Sequence, residues 1–211
     1  PASRLPVAFR VKLKVQAPIL THGSQSLDYG LDAAMQLYHD VPVIGGSLIR
    51  GNLRHAWERL LALQEGADIP FKNPALKLTR ADIQRWLGEG SGDDSYNRPK
   101  RARLNFDYFW FDEKKALEAQ GDLEKPTRKE AAFINKKAAK VRHRIRINES
   151  TGTVADGALQ IIESPYDVGE TPCFSGKVSA YVADEAEREK LEHWLNKGLQ
   201  FLAAIGAMKG V

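Results

Sequence analysis

The order of strand-like and helix-like patterns along the chain predicts an α+β fold. Several short segments alternate apolar and polar residues, as half-buried strands do. Two longer segments repeat apolar residues every three or four positions, as helices with one buried face do. In chain order these patterns give strand, helix, a hairpin of two strands, strand and helix.

The first part of the predicted core, residues 1–63, combines a strand, a long loop and a helix. From Val7 to Gln16 apolar residues alternate with mostly basic ones, which predicts a half-buried strand with one basic face. Residues 17–41 show no strong period, and a loop of that length in a compact domain is usually functional or disordered. A helix is predicted next, and its core-facing residues are expected to be Leu48, Leu53, Trp57, Leu60 and Leu61.

Residues 64–140 are predicted to be an insertion with local structure. Thr79 is expected to cap a short helix, because Asp82 stands at the capping-box position three residues later. The predicted elements of the insertion are a helix at 80–87, a Gly/Ser/Asp-rich linker at 88–97, an aromatic strand at 104–111 and a helix at 127–139.

Residues 141–211 are predicted to complete the core. A hairpin is expected to join strands at 141–147 and 153–163 through turn residues at 148–152. In its first strand His143 alternates with arginines, and we expect this side chain to face the core of the sheet. A strand at 174–182 and a helix at 184–202 follow.

In this order the elements match the β-α-β-β-α-β core of a ferredoxin-like fold that lacks its last strand. The predicted fold is therefore α+β and ferredoxin-like, with an added β-hairpin and a partly helical insertion. A four-stranded sheet of this type is also the architecture of RNA-recognition domains.

Composition and charge narrow the function classes. The 211 residues include one cysteine, Cys173, which excludes an internal disulfide and a cysteine-based zinc site. No apolar run approaches the roughly 18 residues of a membrane span, and the first residues resemble no signal segment. A cytoplasmic protein without membrane contact is therefore expected.

Basic residues are unevenly distributed, although the net charge is only +4. Residues 128–146 contain eight lysines and arginines against one acid, and residues 98–103 contain four more basic residues. Acids concentrate at 184–192. This distribution predicts one basic face for a polyanion, with a solvated surface of mixed charge as the alternative.

The segment 42–54 predicts an anion site at the start of a helix. Gly45 and Gly46 allow a ligand to approach the backbone closely, and Ser47 is a natural N-cap. Free N–H groups and the helix dipole then favour a phosphate. Arg50 and Arg54 are four residues apart, on one face of the first two turns.

Together these motifs resemble the RAMP superfamily, whose members form the backbone of type III CRISPR effector complexes. The resemblance rests on the basic first strand, the long loop, Ile-Gly-Gly-Ser-Leu-Ile-Arg-Gly at 44–51 and Ile-Gly-Ala-Met-Lys-Gly at 205–210. Residues 142–148 and 151–159 look like the thumb hairpin of fused, single-chain type III effectors. The insertion has no counterpart in this resemblance.

The resemblance implies a subunit that grips the backbone of a guide RNA and displaces one base of the guide–target pairing with its thumb. Its partners would be guide RNA, target RNA and other effector subunits or fused domains. The implied RNA-binding residues are Gly45, Gly46, Ser47, Arg50 and Arg54 at the helix start and Arg142, Arg144 and Arg146 in the thumb. The thumb arginines have a simpler alternative role, as solubilising surface charges.

The resemblance also implies a catalytic aspartate in the loop after the first strand. Asp32 lies closest to the position where cleaving relatives have it, and Asp28 is the second candidate. A carboxylate there can position a ribose 2′-OH, accept its proton, or hold Mg²⁺ or another divalent cation. Aspartate also favours turns, and several family members lack this residue and only hold RNA.

A third possibility is trimming of the guide RNA by His39, because a histidine has the pKa to move a proton to or from a ribose oxygen. Many relatives carry a cysteine-rich zinc knuckle in the middle region, whereas no structural zinc is expected here. The chain starts without methionine and stops where the family's last strand would follow, so we expect a segment of a larger polypeptide.

Overall fold

The computed structural model describes most of the sheet and helices of this chain. The residues that it describes are 4–16, 19–21, 35–38, 41–66, 73–89, 101–111, 141–145, 147–148, 150–154, 159–163, 166 and 169–202. The chain forms two compact units, and strand residues 173–182 contribute to both.

Eight strands and three helices make up the described secondary structure. The strands are β1 (Leu5–Lys14), β2 (Leu37–Tyr38), β3 (Val41–Ile44), β4 (Asn105–Phe106), β5 (Phe109–Phe111), β6 (Val141–Arg144), β7 (Gln160–Glu163) and β8 (Cys173–Val182). The helices are α1 (Gly46–Gly66), α2 (Arg80–Leu87) and α3 (Glu185–Gln200), with a short 3₁₀ turn at Pro74–Leu76.

The first unit contains residues 1–11, 46–107 and 176–204. In it β8 pairs with β1 on one side and with β4 on the other, and α1 packs against α2 and α3. Apart from the inserted helix α2, the elements follow the chain order strand, helix, strand, strand, helix, and the last strand, β8, lies between the other two strands of the sheet. This arrangement is that of a ferredoxin-like fold. The predicted fold class is thus confirmed.

Two tryptophans connect the helices of this unit. The indole N–H of Trp57 on α1 donates to the carbonyl of Trp194 on α3 at 2.8 Å, and that of Trp194 donates to Leu76 O at 2.6 Å. Gly198 lies where a Cβ would clash with the side chains of Trp57 and Leu53, so α3 can approach α1 closely. Buried indoles with satisfied N–H groups give this core both apolar area and a defined helix register.

The second unit contains residues 12–45, 108–175 and 205–211. Here β3 pairs antiparallel with β2 and β5, and β5 pairs with the first residues of β8. β6 and β7 form a separate two-stranded sheet, in which Arg142 lies opposite Ile162. The predicted hairpin is therefore present, with Asn148 and Gly152 in the turn that joins its strands.

Helix α2 starts as its sequence predicts. The amide of Asp82 donates to Thr79 Oγ1 at 3.2 Å, and the amide of Thr79 donates to Asp82 Oδ2 at 3.0 Å, which completes a capping box. Asp82 also accepts a hydrogen bond from Lys190 Nζ at 2.7 Å. Gly88 ends the helix with φ 79°, a value that favours glycine.

Four details of the sequence prediction are wrong. The hairpin strands β6 and β7, expected in the core sheet, form a separate sheet, and β4 from the predicted insertion pairs with β8 instead. The strand expected at 104–111 is interrupted at Asp107 and Tyr108, where the amide of Asp107 bonds to Lys177 O. α1 begins at Gly46, so Ser47 lies in its first turn and not at the cap. His143 is exposed instead of facing the core, as are Ile145 and Ile147 on the same hairpin, because no described element covers that side of it.

Of the loop predicted at 17–41 the structure describes residues 19–21, 35–38 and 41, and strand β2 within it pairs with β3. The rest of this loop and much of the insertion lie outside the described residues, and so does the helix predicted at 127–139.

Candidate nucleic-acid interface

Gly46 at the start of α1 serves packing. Gly45 and Gly46 are buried, and a Cβ at Gly46 would clash with the carbonyl oxygens of Phe106 and Asp107. Glycine is therefore needed here for the helix to approach β4. Ser47, one residue later, is exposed. The predicted anion site at this helix start is a separate matter, and it stays a prediction.

Arg54 is occupied by the end of α2. Its guanidinium donates to Leu87 O at 2.8 Å and also to Gly88 O. These carbonyls would otherwise be among the unsatisfied acceptors at a helix C-terminus, and a cation there also interacts favourably with the helix dipole. In this structure Arg54 thus joins α1 to α2, and its predicted contact with phosphate would require these bonds to break.

The same helix end anchors the segment that follows the linker. The amides of Arg103 and Leu104 both donate to Trp86 O, at 3.1 and 3.0 Å. Leu104 is buried, whereas Arg101 and Arg103 are exposed. The backbone of this segment is therefore fixed, and its two arginines extend from a fixed support.

These arginines line a groove in the first unit together with residues from three other parts of the chain. The groove has a volume of about 570 Å³. We call it the arginine groove, and its charged and polar lining residues are Arg4, Arg50, Arg101, Arg103, Asn105 and Tyr181. The structure thus brings the predicted residue Arg50 into one site with the basic cluster around residue 101.

Strand pairing explains why Tyr181 is part of this groove. Asn105 of β4 lies opposite Ser179 of β8 in an antiparallel register. Continued by two residues, this register places Arg103 opposite Tyr181. The Tyr181 side chain is 62% exposed, while its neighbours Ala180 and Val182 are buried. The ring is therefore held at the groove by a strand whose alternate residues are fixed in the core.

The groove concentrates positive charge. Four other basic residues of the first unit do pair with acids, namely Lys190 with Asp82, Arg85 with Glu187, Lys177 with Asp107 and Arg188 with Glu185. Among the residues that the structure describes, no acid pairs with any of the four groove arginines. Four neighbouring guanidinium groups without partners raise the local concentration of anions, and their fork geometry suits phosphate oxygens.

Sequence reasoning found only part of this site. It singled out Arg50 for its place in the helix, and it noted Arg101 and Arg103 only as part of a charge cluster. Arg4 and Tyr181 were missed. Tyr181 could have been found from its position in the alternating pattern of β8. The outward-facing positions of this strand otherwise hold small or polar residues, and an aromatic residue breaks that pattern.

The side chains of the remaining predicted site residues all lie outside the described part of the chain. Arg142 and Arg144 lie on strand β6, but their side chains are outside the described part of the chain, and so is all of Arg146. The catalytic candidates Asp28 and Asp32 and the processing candidate His39 also lie outside it. Within the described ranges no three acidic, histidine or cysteine side chains come together as a possible metal site.

Comparisons with known proteins point to one family. The model of the RAMP superfamily matches residues 13–211, which is nearly the whole chain. No curated protein gives a significant match. Among the helices in the described ranges, none has the length and apolar character required to cross a membrane.

Proposed function

Since the chain belongs to the RAMP superfamily, and with it has a CRISPR-associated RNA-binding role, we propose that it is a backbone subunit of a type III effector complex that holds guide RNA in the arginine groove. RNA and other CRISPR-associated subunits are the partners of this family. The type III assignment, the guide strand as the bound RNA and the groove as its site are the new elements of this proposal.

One observation carries the proposal: four arginines surround a single groove, and in the described part of the chain none of them pairs with an acid. A fold gains nothing from gathering like charges, because exposed cations repel one another and are solvated equally well apart. The cluster becomes favourable when a chain of phosphates lies between the guanidinium groups and releases its counterions. RNA backbone is such a polyanion.

The groove suits a guide of any sequence. Arginine contacts to phosphate position a nucleic acid without reading its bases. Asn105 is the one side-chain amide among the lining residues, and its NH₂ group donates to Asp107 Oδ1 at 3.2 Å. Because guanidinium groups outnumber this single amide in the lining, we expect affinity that depends little on base sequence, as a guide-binding subunit requires.

The experiment measures binding of several unrelated single-stranded RNAs by the double variant Arg101→Ala/Arg103→Ala. We expect affinity to fall by a similar factor for every RNA. The control is Arg59→Ala/Arg80→Ala, which removes the same charge from two exposed arginines that do not line the groove. Equal affinity of the two double variants would contradict the groove as the RNA site.

We also propose that the subunit cleaves target RNA, with Asp32 as the catalytic residue and Asp28 as the second candidate. In this reaction the ribose 2′-OH attacks the adjacent phosphorus and its proton passes to the carboxylate. The bond from phosphorus to the 5′-oxygen breaks, and this oxygen takes up a proton from water, which yields a 2′,3′-cyclic phosphate and a 5′-hydroxyl end. A divalent cation held by these aspartates would offset the charge that develops on the phosphate. The proposal rests on the resemblance of the loop to that of cleaving relatives.

Substitution of Asp32 in the assembled complex tests cleavage. With Asp32→Ala we expect loss of one cleavage position while target binding stays intact. Unchanged cutting at every position would show that the subunit only holds RNA. Guide trimming by His39 is tested separately, since His39→Ala would lengthen the bound guide RNA if this residue is responsible.

A further inference from the structure

We propose that Tyr181 stacks on an unpaired base of the RNA, so that the arginine groove selects single-stranded over double-stranded RNA. This inference rests on the proposed function, because it takes the phosphates of the same RNA to lie against the groove arginines. It adds a contact of a different kind, between an aromatic ring and a base.

The position of Tyr181 supports a contact with a base. The ring of Tyr181 lies in the groove beside Arg103, because the strand register places these two residues opposite each other. With 62% of its side chain exposed, it has a free surface toward the groove, and no ring or cation contact to it occurs within the described part of the chain. A single exposed aromatic residue is ordinary, but one placed among four guanidinium groups of a groove is in the setting where proteins stack bases.

The strand beneath Tyr181 makes the ring a rigid platform. Ala180 and Val182 on either side are 6% and 1% exposed, and both point into the core of the first unit. The backbone of β8 is therefore fixed at this residue, and only the two side-chain torsions remain free. Little conformational entropy is lost when such a ring is ordered by a ligand.

The affinity of the groove for single-stranded RNA should then exceed its affinity for duplex RNA, which charge alone does not predict. In a duplex each base is already stacked between its neighbours, so its face is not available to a protein ring. Charge density is higher in the duplex, and phosphate contacts alone would favour it. A preference for single-stranded RNA would therefore report the stacking contact and not the arginines.

The experiment compares Tyr181→Ala and Tyr181→Phe with the unchanged chain, on a mixed-sequence single-stranded RNA and on the duplex of that RNA. We expect Tyr181→Ala to lose about 5-fold to about 150-fold in affinity for the single strand, the range for one stacked base. The salt dependence should be unchanged, because no charge is removed. Tyr181→Phe should retain the affinity, and duplex binding should change little.

Arg50→Ala in the same series separates this inference from the proposed function. If Arg50→Ala weakens binding but Tyr181→Ala does not, the RNA lies in the groove and the stacking proposal is wrong. The stacking proposal is also wrong if Tyr181→Ala weakens duplex and single strand equally. If neither variant changes the affinity, the groove is not the RNA site and both proposals fail. Tyr181 is exposed, so we expect both of its variants to fold, which a thermal melt verifies.

Discussion

Removal of one guanidinium from the arginine groove gives the most quantitative prediction. Arg50 is exposed on α1 and lines the groove, and no ion pair with a described acid holds its side chain. Arg50→Ala should therefore leave the fold intact and remove a single phosphate contact. Any loss of affinity can then be attributed to that contact.

The size of the effect follows from the number of arginines in the groove. For single-stranded nucleic acid the logarithm of affinity falls with the logarithm of salt by about 0.7 for each neutralised phosphate. Four groove arginines predict a slope of about −2.8, and the variant should show about −2.1. One contact is then worth about 5-fold in affinity at 0.1 M salt and only about 1.6-fold at 0.5 M.

Fluorescence anisotropy of a labelled single-stranded RNA across this salt range measures both the affinity and the slope. Arg59→Ala is the matched control, because Arg59 is exposed on the same helix. It lies nine residues from Arg50, which is about two and a half turns, and so on the opposite face of the helix. We expect the control to keep the slope of the unchanged chain. If Arg50→Ala and Arg59→Ala shift the slope equally, the groove has no special role and the reasoning is refuted.

Three further predictions concern stability, each measured by denaturant unfolding of the variant. Gly46→Ala should lower the free energy of unfolding by about 3 kcal/mol, because the added methyl group meets backbone carbonyls. Gly51→Ala in the same helix has open space and should raise this free energy by about 0.5–1 kcal/mol. Equal effects of the two substitutions would contradict the packing role of Gly46. Arg54→Ala should lower the free energy of unfolding by about 1.5–3 kcal/mol through loss of the bonds to Leu87 and Gly88. The salt dependence of RNA binding should stay the same in this variant. A weaker salt dependence would instead mean that Arg54 contacts phosphate. Asp82→Ala should lower the free energy of unfolding by at least about 1–2 kcal/mol, since it removes both the capping box and the bond to Lys190, and an unchanged midpoint would show that neither contributes to stability.

Local patterns explain why much of the fold could be predicted. The capping box of α2 depends on two residues three apart, so the sequence contains all the information needed to place the helix start. The alternation in β1 and β8 likewise identifies which residues turn inward, and the structure buries Leu13 and Val178 accordingly. These features require no knowledge of distant parts of the chain.

The site depended on contacts that the sequence does not reveal. The groove arises where residues from the start of β1, from α1, from the segment before β4 and from β8 meet, and their spacing in the chain gives no hint of this. Glycine at position 46 was ambiguous, because close approach of a ligand and close approach of a strand demand the same absence of a Cβ. Arg54 had the helical spacing of a phosphate contact, but the end of α2 takes its guanidinium.

The measurement that most directly tests the central claim is photo-crosslinking of 4-thiouridine-labelled single-stranded RNA to the whole chain, followed by mass spectrometry of the crosslinked peptides. RNA held in the arginine groove should crosslink to peptides that contain Tyr181 or residues 101–105, and Arg50→Ala should reduce these crosslinks at low salt. Crosslinks that are absent from both peptides and instead gather around Arg59, on the opposite face of α1, would contradict the claim.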